Sequence, residues 1–442
     1  MHSTPTSPGA HARTDVSSDV GSDAGDAESD SSSLEYDHEP FSTFRSRVQE
    51  LALKRVWPDA IPDDVIIERL RGGGFNRVIG LTRRFTKPHQ TDGPSGSSNS
   101  SSSSSNIAIR YVLRVPRFES SRVGNDVAAL HFVNRYTTIP APKVIQFDET
   151  DQNELGLPFV ILNRIPGTDL LSTYPNLTHN QRCRVARELG TVFANMLAVT
   201  SSTAGVFVLP SHNNYSKTRV KIAPLCYEDI TSSSSTSLAN TFTCSAATTT
   251  VFELLTSCLQ AKKDALLMEY PQDTFRIKYM HHFMTMVSEL HQDGWLTNHH
   301  YSLAHLDLVP RNILVNPTSQ VLSPIISGIL DWDSAILAPM FMSCKPPLWL
   351  WDWKDDEDED ERTANEEPPT AESRELKKSF EEAAGPDYLR FAYQPAFRLA
   401  RQLVSFVING LLSNEDFRAA DAMLQEWEAV QQARRTSKAS TE

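Results

Sequence analysis

The chain has 442 residues and a hydrophobic content of 40%, which suits two packed lobes better than one compact core. Its formal charge of −13 lies mostly in two stretches, since residues 1–40 carry nine acids against Arg13 and residues 355–361 are seven consecutive acids. The rest of the chain is close to +2, so a broad basic surface for nucleic acid is not expected.

The pattern of the five cysteines predicts that they are reduced thiols. They are odd in number, widely spaced and without a Cys-x-x-Cys pair, which argues against a disulfide framework and against a zinc site. The N-terminus has no apolar signal core, and no apolar stretch approaches membrane-spanning length. The sequence therefore predicts a cytoplasmic protein without a membrane partner, and it leaves the oligomeric state open.

The N-terminal part of the chain alternates between two kinds of pattern. Residues 1–40 are rich in Ser, Asp, Gly and Pro and predict a disordered acidic tail, after which 41–56 is helix-like. β-Favouring runs then surround one helical segment in the order strand, strand, strand, helix, strand, strand: 66–70, 78–81, 109–115, 123–136, 143–147 and 158–162. We therefore expect an N-terminal lobe over 41–162, a small antiparallel sheet with one helix and a Ser-rich insertion at 87–106.

Beyond Asn163 the apolar residues recur at helical spacing. The helix-like segments are 180–198, 251–267, 275–291, 388–412 and 415–431. They predict a larger, mainly helical C-terminal lobe over 163–431, with loop insertions at about 228–250 and 354–373 and a flexible tail at 432–442. The predicted fold class is α+β, with two lobes.

Two short segments carry the strongest signal for chemistry. The first runs His-x-Asp-x-x-x-x-Asn from His305 to Asn312, and the second places Asp331 after the apolar run 325–330. Phosphoryl transfer needs a group that orients and deprotonates the acceptor hydroxyl, and oxygen ligands that hold Mg²⁺ against the phosphates. Asp307 fits the first task, and Asn312 with Asp331 fits the second, because a hairpin of 313–315 with 325–330 would bring the last two together.

Each segment alone has an ordinary structural explanation. A His-x-Asp sequence is commonly a hydrogen-bonded core pair, and Asp-Trp-Asp at 331–333 is commonly a turn or a cap. Only the combination favours catalysis.

A glycine cluster lies between the first two predicted strands. Gly72, Gly73 and Gly74 would let the backbone approach ATP phosphates, although a plain hairpin turn needs glycine too. The glycines match neither the Rossmann nor the Walker A pattern.

The combined pattern resembles the aminoglycoside phosphotransferase and choline kinase superfamily, which is distantly related to protein kinases. Pro310 between Asp307 and Asn312 is typical of that superfamily, and 337–350 is similar to its fungal members. The resemblance covers most of 61–412 and implies a two-lobed, protein-kinase-like fold. It implies that Asp307 is the catalytic base, that His305 braces its loop, and that Asn312 and Asp331 are Mg²⁺ ligands.

The resemblance also implies nucleotide-binding residues in the N-terminal lobe. Arg114 stands where the superfamily usually has a lysine that contacts the α and β phosphates, and Asp126 is the best candidate for its ion-pair partner, usually Glu. Residues 163–165 resemble the hinge that binds adenine, so Asn163 and Ile165 are expected beside the base. Asp333, just outside the matched metal position, is expected to make local hydrogen bonds.

These features predict an ATP- and Mg²⁺-dependent phosphotransferase that transfers the γ-phosphate to a hydroxyl of a small molecule. Trp332 in place of a Phe-Gly pair argues against a protein kinase. The departures at Arg114 and Asp126 leave an alternative, a nucleotide-binding pseudokinase or scaffold with the same fold. The segment 338–353 has low polarity and is expected to cover the acceptor pocket.

Overall fold

The computed structural model describes residues 39–70, 72, 75–85, 108–118, 123–210, 220–225, 250–297, 300–320, 322–353 and 359–439. The predicted acidic tail, apart from its last two residues, lies outside this range. The Ser-rich insertion at 87–106, nearly all of the insertion at 228–250, Gly73 and Gly74 also lie outside it.

The N-terminal lobe is an antiparallel sheet of five strands with two helices. Its elements are α1 Phe41–Leu51, which continues as a π-helical turn Ala52–Val56, then β1 Val65–Arg69, β2 Asn76–Arg84, β3 Ala108–Pro116, α2 Val123–Tyr136, β4 Val144–Asp148 and β5 Phe159–Asn163. The spatial order of the strands is β1-β2-β3-β5-β4. The predicted order of three strands, one helix and two strands is therefore confirmed.

Strand β5 lies between the two hydrophobic cores of the protein. Side chains of a strand alternate between the two faces of its sheet. Phe159 and Ile161 accordingly join the core under α1, where Phe44 is fully buried. Val160 and Leu162 join the larger core of the C-terminal lobe. The segment that follows β5 is thereby fixed at the boundary between the lobes.

Seven helices of the described chain form most of the C-terminal lobe. They are α3 Leu170–Thr173, α4 His179–Ala198, α5 Val251–Glu269, α6 Thr274–Gln292, α7 Ala371–Tyr393, α8 Pro395–Asn409 and α9 Asn414–Ala439. Helices α4 and α5 both begin with a capping box, in which Thr178 pairs with Gln181 and Thr250 with Glu253. Helix α7 bends at Gly385, which has a left-handed φ of 82°.

Short strands complete this lobe and carry its loops. They are β6 Thr168–Asp169, β7 Thr200–Ser201, β8 Gly205–Val208, β9 Lys221–Pro224, β10 Tyr301–Ala304, β11 Ile313–Val315, β12 Ile326–Ile329 and β13 Ile336–Pro339. They form two sheets, in the orders β7-β10-β13-β8-β9 and β12-β11-β6. With its sheet-based lobe and its larger helical lobe, the protein has the predicted two-lobed α+β fold.

Two boundaries expected from the sequence were wrong. Residues 432–439, where a flexible tail was expected, continue helix α9, and Nη1 of Arg434 lies 3.0 Å from Oδ2 of Asp293 at the end of α6. The loop expected over 354–373 is shorter, since 361–365 form a 3₁₀-helix and α7 begins at Ala371.

Helices α4 and α7 pack at very short range around Gly190. A Cβ atom at this position would lie 2.4 Å from the carbonyl oxygen of Phe380 and 2.9 Å from the backbone nitrogen of Ala384. Only glycine permits this approach. In the described part of the chain, no helix combines the length and the apolar character needed to cross a lipid bilayer.

Candidate active site

The two segments singled out in the sequence lie side by side. The first, 305–312, connects β10 to β11, and the second, 330–335, connects β12 to β13. Because β10 pairs with β13 and β11 pairs with β12, the four strand ends that carry these segments are neighbours. A hydrogen bond of 2.8 Å from the Leu330 N–H to the Asn312 carbonyl joins the segments directly.

Asn312 holds the carboxylate of Asp307. Its Nδ2 donates to the carbonyl oxygen of Asp307 at 2.8 Å and to Oδ2 at 2.9 Å. Asn312 is 7% exposed, so it is a fixed partner. Arg311 Nη2 lies 2.9 Å from both carboxylate oxygens, but its side chain is 61% exposed and water weakens this pair. The 3₁₀ turn that begins at Pro310 brings Asn312 back within reach of Asp307.

His305 connects the two segments through both ring nitrogens. Its Nε2 lies 2.8 Å from the carbonyl oxygen of Leu330, and its Nδ1 faces the N–H of Asp307 at 3.4 Å. A carbonyl can only accept, so Nε2 must donate and Nδ1 must accept, which describes a neutral ring. Burial of His305 lowers its pKa, in agreement with that form. The ring also packs against Trp332, with 4.6 Å between centroids.

The direction of the Asp331 side chain is set by an unusual backbone conformation. Its φ of 65° and ψ of 53° are left-handed, a region that Asp tolerates better than most side chains. One of its oxygens, Oδ1, lies 2.9 Å from Nη2 of Arg114. The same Nη2 lies 3.0 Å from Oδ2 of Asp333. Arg114 of β3 thereby reaches from the N-terminal lobe to the second loop of the C-terminal lobe.

The partner expected for Arg114 was Asp126, and here the structure differs. Within the described residues, the ion pairs of Arg114 go to Asp331 and Asp333, and none goes to Asp126. Asp has a short side chain, and the two carboxylates of the C-terminal lobe lie closer to the guanidinium. Asp126 remains part of the same charge cluster, since burial and then Asp333 raise its pKa to about 7, with Arg114 opposing them.

The cluster holds more negative than positive groups. Three carboxylates surround one guanidinium, and burial, reinforced by Asp333, also raises the pKa of Asp331. Carboxylates that face each other with too few cations resist ionisation. Such a group of oxygen ligands is suited to a hard divalent cation.

The hinge residues follow the boundary between the lobes. The N–H of Asn163 donates to Lys143 at 3.0 Å and the N–H of Arg164 donates to Arg110 at 3.1 Å, so both belong to the sheet. In the described chain, the N–H of Ile165 donates to no acceptor, and its expected role beside adenine stays a prediction. The Ile165 side chain packs on Gly328 of β12, where a Cβ would come within 2.7 Å of it.

The glycine cluster is described only at Gly72. A Cβ atom there would lie 2.8 Å from the carbonyl oxygen of Asn76 in the adjoining strand. The close turn between β1 and β2 is therefore sufficient to explain this glycine. Whether it also serves a phosphate stays a prediction.

A cavity of about 970 Å³ opens beside Asp307, and Lys345, Pro346, Pro347 and Trp349 line part of it. These four residues belong to the segment 338–353, which was expected to cover the acceptor pocket, and that role stays a prediction. Asp333 also lines the cavity, together with 359–362 and residues of helices α8 and α9. The contribution of 359–362, α8 and α9 was missed, because 354–373 was expected to be a loop insertion. Arg362 directly after the acidic run was a signal, since a run that serves only solubility needs no cation.

Comparison with known proteins gives a family match. A model of the phosphotransferase enzyme family matches residues 94–364. Comparison with curated protein sequences gave no match.

Several solved structures of aminoglycoside phosphotransferases are similar to this chain. APH(4)-Ia, in a ternary complex with ADP and hygromycin B, has a TM-score of 0.45 and 14% identity, with 87% of this chain and 97% of that chain covered. The ADP-bound APH(2'')-Ib has a TM-score of 0.45 and 11% identity, with 86% and 96% covered. The family match extends over more than half of the chain and over both loops of the site, and the chain therefore belongs to the phosphotransferase enzyme family.

Proposed function

We propose that the protein is a kinase that uses ATP and Mg²⁺ to phosphorylate a hydroxyl group of a small molecule. The observation that carries the proposal is the position of Asp307, whose carboxylate is held by buried Asn312 at the edge of the large cavity. A carboxylate fixed beside a cavity can orient an acceptor hydroxyl and take its proton.

The residues around Asp331 fit a magnesium ion. The Nδ2 of Asn312 is used by Asp307, and in the described chain its Oδ1 accepts no hydrogen bond and can face a cation. Asp331 uses only Oδ1 for Arg114, which leaves Oδ2. Both are the oxygen ligands that Mg²⁺ prefers. When bound there, Mg²⁺ would neutralise charge on the ATP phosphates.

The remaining residues have supporting tasks in this proposal. Arg114 brings a permanent positive charge to the cleft and can bind phosphate oxygens with its forked guanidinium. His305 keeps the two loops in register through Leu330 and Asp307. The N–H of Ile165 is proposed to bind the adenine ring.

The direct experiment measures ADP production from Mg²⁺-ATP across a library of hydroxylated small molecules. We expect Asp307→Asn to lower kcat by about 10²- to 10⁴-fold, the usual contribution of a general base, with ATP binding retained. Asp151→Asn, an exposed acid of the N-terminal lobe, is the matched control. Unchanged turnover in Asp307→Asn, or an unchanged Mg²⁺ requirement in Asp331→Ala, would defeat the assignment.

One observation favours a second function, a nucleotide-binding protein with little transfer activity. Arg114, which stands where the resemblance implies a lysine, forms an ion pair with Asp331, the proposed metal ligand. Two results together would support that function. The protein would bind Mg²⁺-ATP but produce no ADP with any acceptor, and Asp307→Asn would leave ADP production unchanged.

A further inference from the structure

The walls of the cavity beside Asp307 carry four positive side chains, and each one is paired with an acid of the same wall. The pairs are Lys345 with Glu359 at 3.6 Å, Arg362 with Asp360 at 2.6 Å, Arg401 with Glu361 at 2.6 Å, and Arg398 with Glu426. Each of the four cations of the described wall is therefore neutralised by one acid.

Breaking the ion pair between Arg401 and Glu361 would cost a ligand considerable free energy. Arg401 is 6% exposed and donates to Glu361 and also to the carbonyl oxygens of Phe341, Phe391 and Ala392. Removing Glu361 from this set would leave a buried guanidinium without its counter-charge, a costly change. Glu361 is thus not available to an ammonium group.

The other acids of the cavity are also occupied. Asp307 accepts from Asn312, and Asp333 pairs with Arg114. Among the described lining residues, every carboxylate has a protein donor. A polycationic acceptor needs unpaired carboxylates to replace the water it loses, and a polyanion needs unpaired cations. The described wall offers no free cation, and its carboxylates beyond the four pairs are Asp307, which is held by Asn312, and Asp333, which shares Arg114 with Asp331.

The uncharged residues of the wall are of two kinds, polar and apolar. Gln402, Ser405 and Asn409 lie along one face of α8 and present amide and hydroxyl groups. Pro346, Pro347 and Trp349 form an apolar side, and Trp349 is 8% exposed. The cavity volume of about 970 Å³ is in the range of sites for metabolite-sized ligands.

We propose that the acceptor is a neutral, hydroxylated molecule with an apolar portion, and that polycationic aminoglycosides are poor ligands of this cavity. This inference rests on the proposed function only in taking the cavity as the acceptor site. The polar groups of α8 would bind hydroxyls, and Trp349 with the two prolines would cover the apolar portion.

The test measures binding and transfer separately. Kanamycin, as the polycation, is titrated into the protein with Mg²⁺-ADP present, and transfer from Mg²⁺-ATP is compared between kanamycin and short-chain alkyl glucosides, which are neutral. We expect at least a tenfold preference for the glucosides and only weak kanamycin binding. Saturable kanamycin binding to the wild type, with equal or better transfer, would overturn the proposal.

A variant changes the charge of the wall alone. Arg362→Gln frees Asp360 inside the cavity and is expected to raise kanamycin affinity about tenfold, the gain from one unpaired carboxylate at about 1.4 kcal/mol. Lys378→Gln frees Glu382 on the exposed face of α7 and should change nothing. Equal affinities in both variants would contradict the inference even if no transfer were seen, so a failure of the proposed function is distinguishable.

The four acids at 355–358 adjoin Glu359 and lie outside the described residues. Kanamycin binding is therefore also measured after their replacement by serine. A kanamycin site in the wild type that this replacement abolishes would show an anionic acceptor site and overturn the proposal. Weak binding that the replacement leaves unchanged supports it.

Discussion

Arg114 Nη2, in the N-terminal lobe, lies 2.9 Å from Oδ1 of Asp331 in the C-terminal lobe. The Arg114 side chain is 12% exposed and that of Asp331 is 37% exposed, so the guanidinium is shielded from water while the carboxylate stays accessible. A cation bound to Asp331 would share the carboxylate with the guanidinium. The Arg114 side chain is therefore placed to interact with a bound phosphate and with a carboxylate that also binds the metal.

Substitution of Arg114 should affect ATP use strongly. We expect Arg114→Gln to lower kcat/KM for ATP by about 10- to 100-fold, since a hydrogen bond to a charged group contributes about 1.5–3 kcal/mol. Arg114→Lys keeps the charge and should stay within about tenfold of the wild type, on the same scale. The control is Arg110→Gln, an exposed residue of the same strand. If Arg114→Lys instead activated a nearly inactive protein, the nucleotide-binding alternative would be favoured.

Asp126 should make stability depend on pH. Its pKa is raised to about 7 in the folded protein, above the unfolded value of about 3.9, so the folded state holds the proton more tightly. Its contribution to stability is full below about pH 4 and is lost as the pH rises through 7. Asp126→Asn removes this loss and should raise Tm by about 2–4 °C at pH 8 and by less at pH 5.5.

Thermal unfolding at the two pH values checks the prediction for Asp126. Asp151→Asn, which replaces an exposed acid, should shift Tm equally at both. A pH-independent effect of Asp126→Asn would mean that Asp126 is ionised throughout this range.

His305→Ala should lower kcat more than it changes KM, because it removes one connection between the two loops and leaves the hydrogen bond from Leu330 to Asn312 described above. The carbonyl of Leu330 would lose its donor inside the core, so we also expect a loss of about 1–3 kcal/mol in the free energy of unfolding. His305→Gln keeps a donor, so it should lose less kcat and less stability than His305→Ala. His281→Ala, at an exposed position of α6, is the control, and an unchanged kcat in His305→Ala would refute the bracing role.

Gly190→Ala tests the contact between α4 and α7. Alanine favours a helix over glycine by about 1 kcal/mol, but its Cβ would clash with the backbone of α7, and such overpacking costs about 1–3 kcal/mol. We therefore expect a net loss of stability in denaturant unfolding. Thr191→Ala, exposed and next in sequence, should be nearly neutral. A stabilised Gly190→Ala protein would show that the two helices separate easily.

Local patterns predicted the N-terminal sheet and the meeting of the two loops. Strands β1 to β5 are long enough to show β-favouring runs, and the pairing of Ile313 with Ile329 follows from two apolar runs of a hairpin. Strands such as β6 and β7 have two residues each and carry no periodic signal. Their existence depends on partners that are distant in the sequence.

Side-chain partners were harder to predict than elements. Arg114 and Asp331 are 217 positions apart, and nothing local distinguishes Asp331 from Asp126 as a partner. The acidic run was expected to be solvated because most such runs are. Its last residues became part of a wall only because Arg401, 40 positions further on, provides a buried cation for Glu361.

Arg401 also bears on how the protein could acquire new acceptors over evolutionary time. Its guanidinium ties Glu361, the 3₁₀ segment at Phe341 and the end of α7 together, so mutations at this point would disturb several segments at once. Ser405 and Asn409 on the exposed rim of α8 make no such connections to other segments in the described chain. Divergence in substrate preference is therefore expected to accumulate at the rim, while the floor of the cavity stays under strong purifying selection.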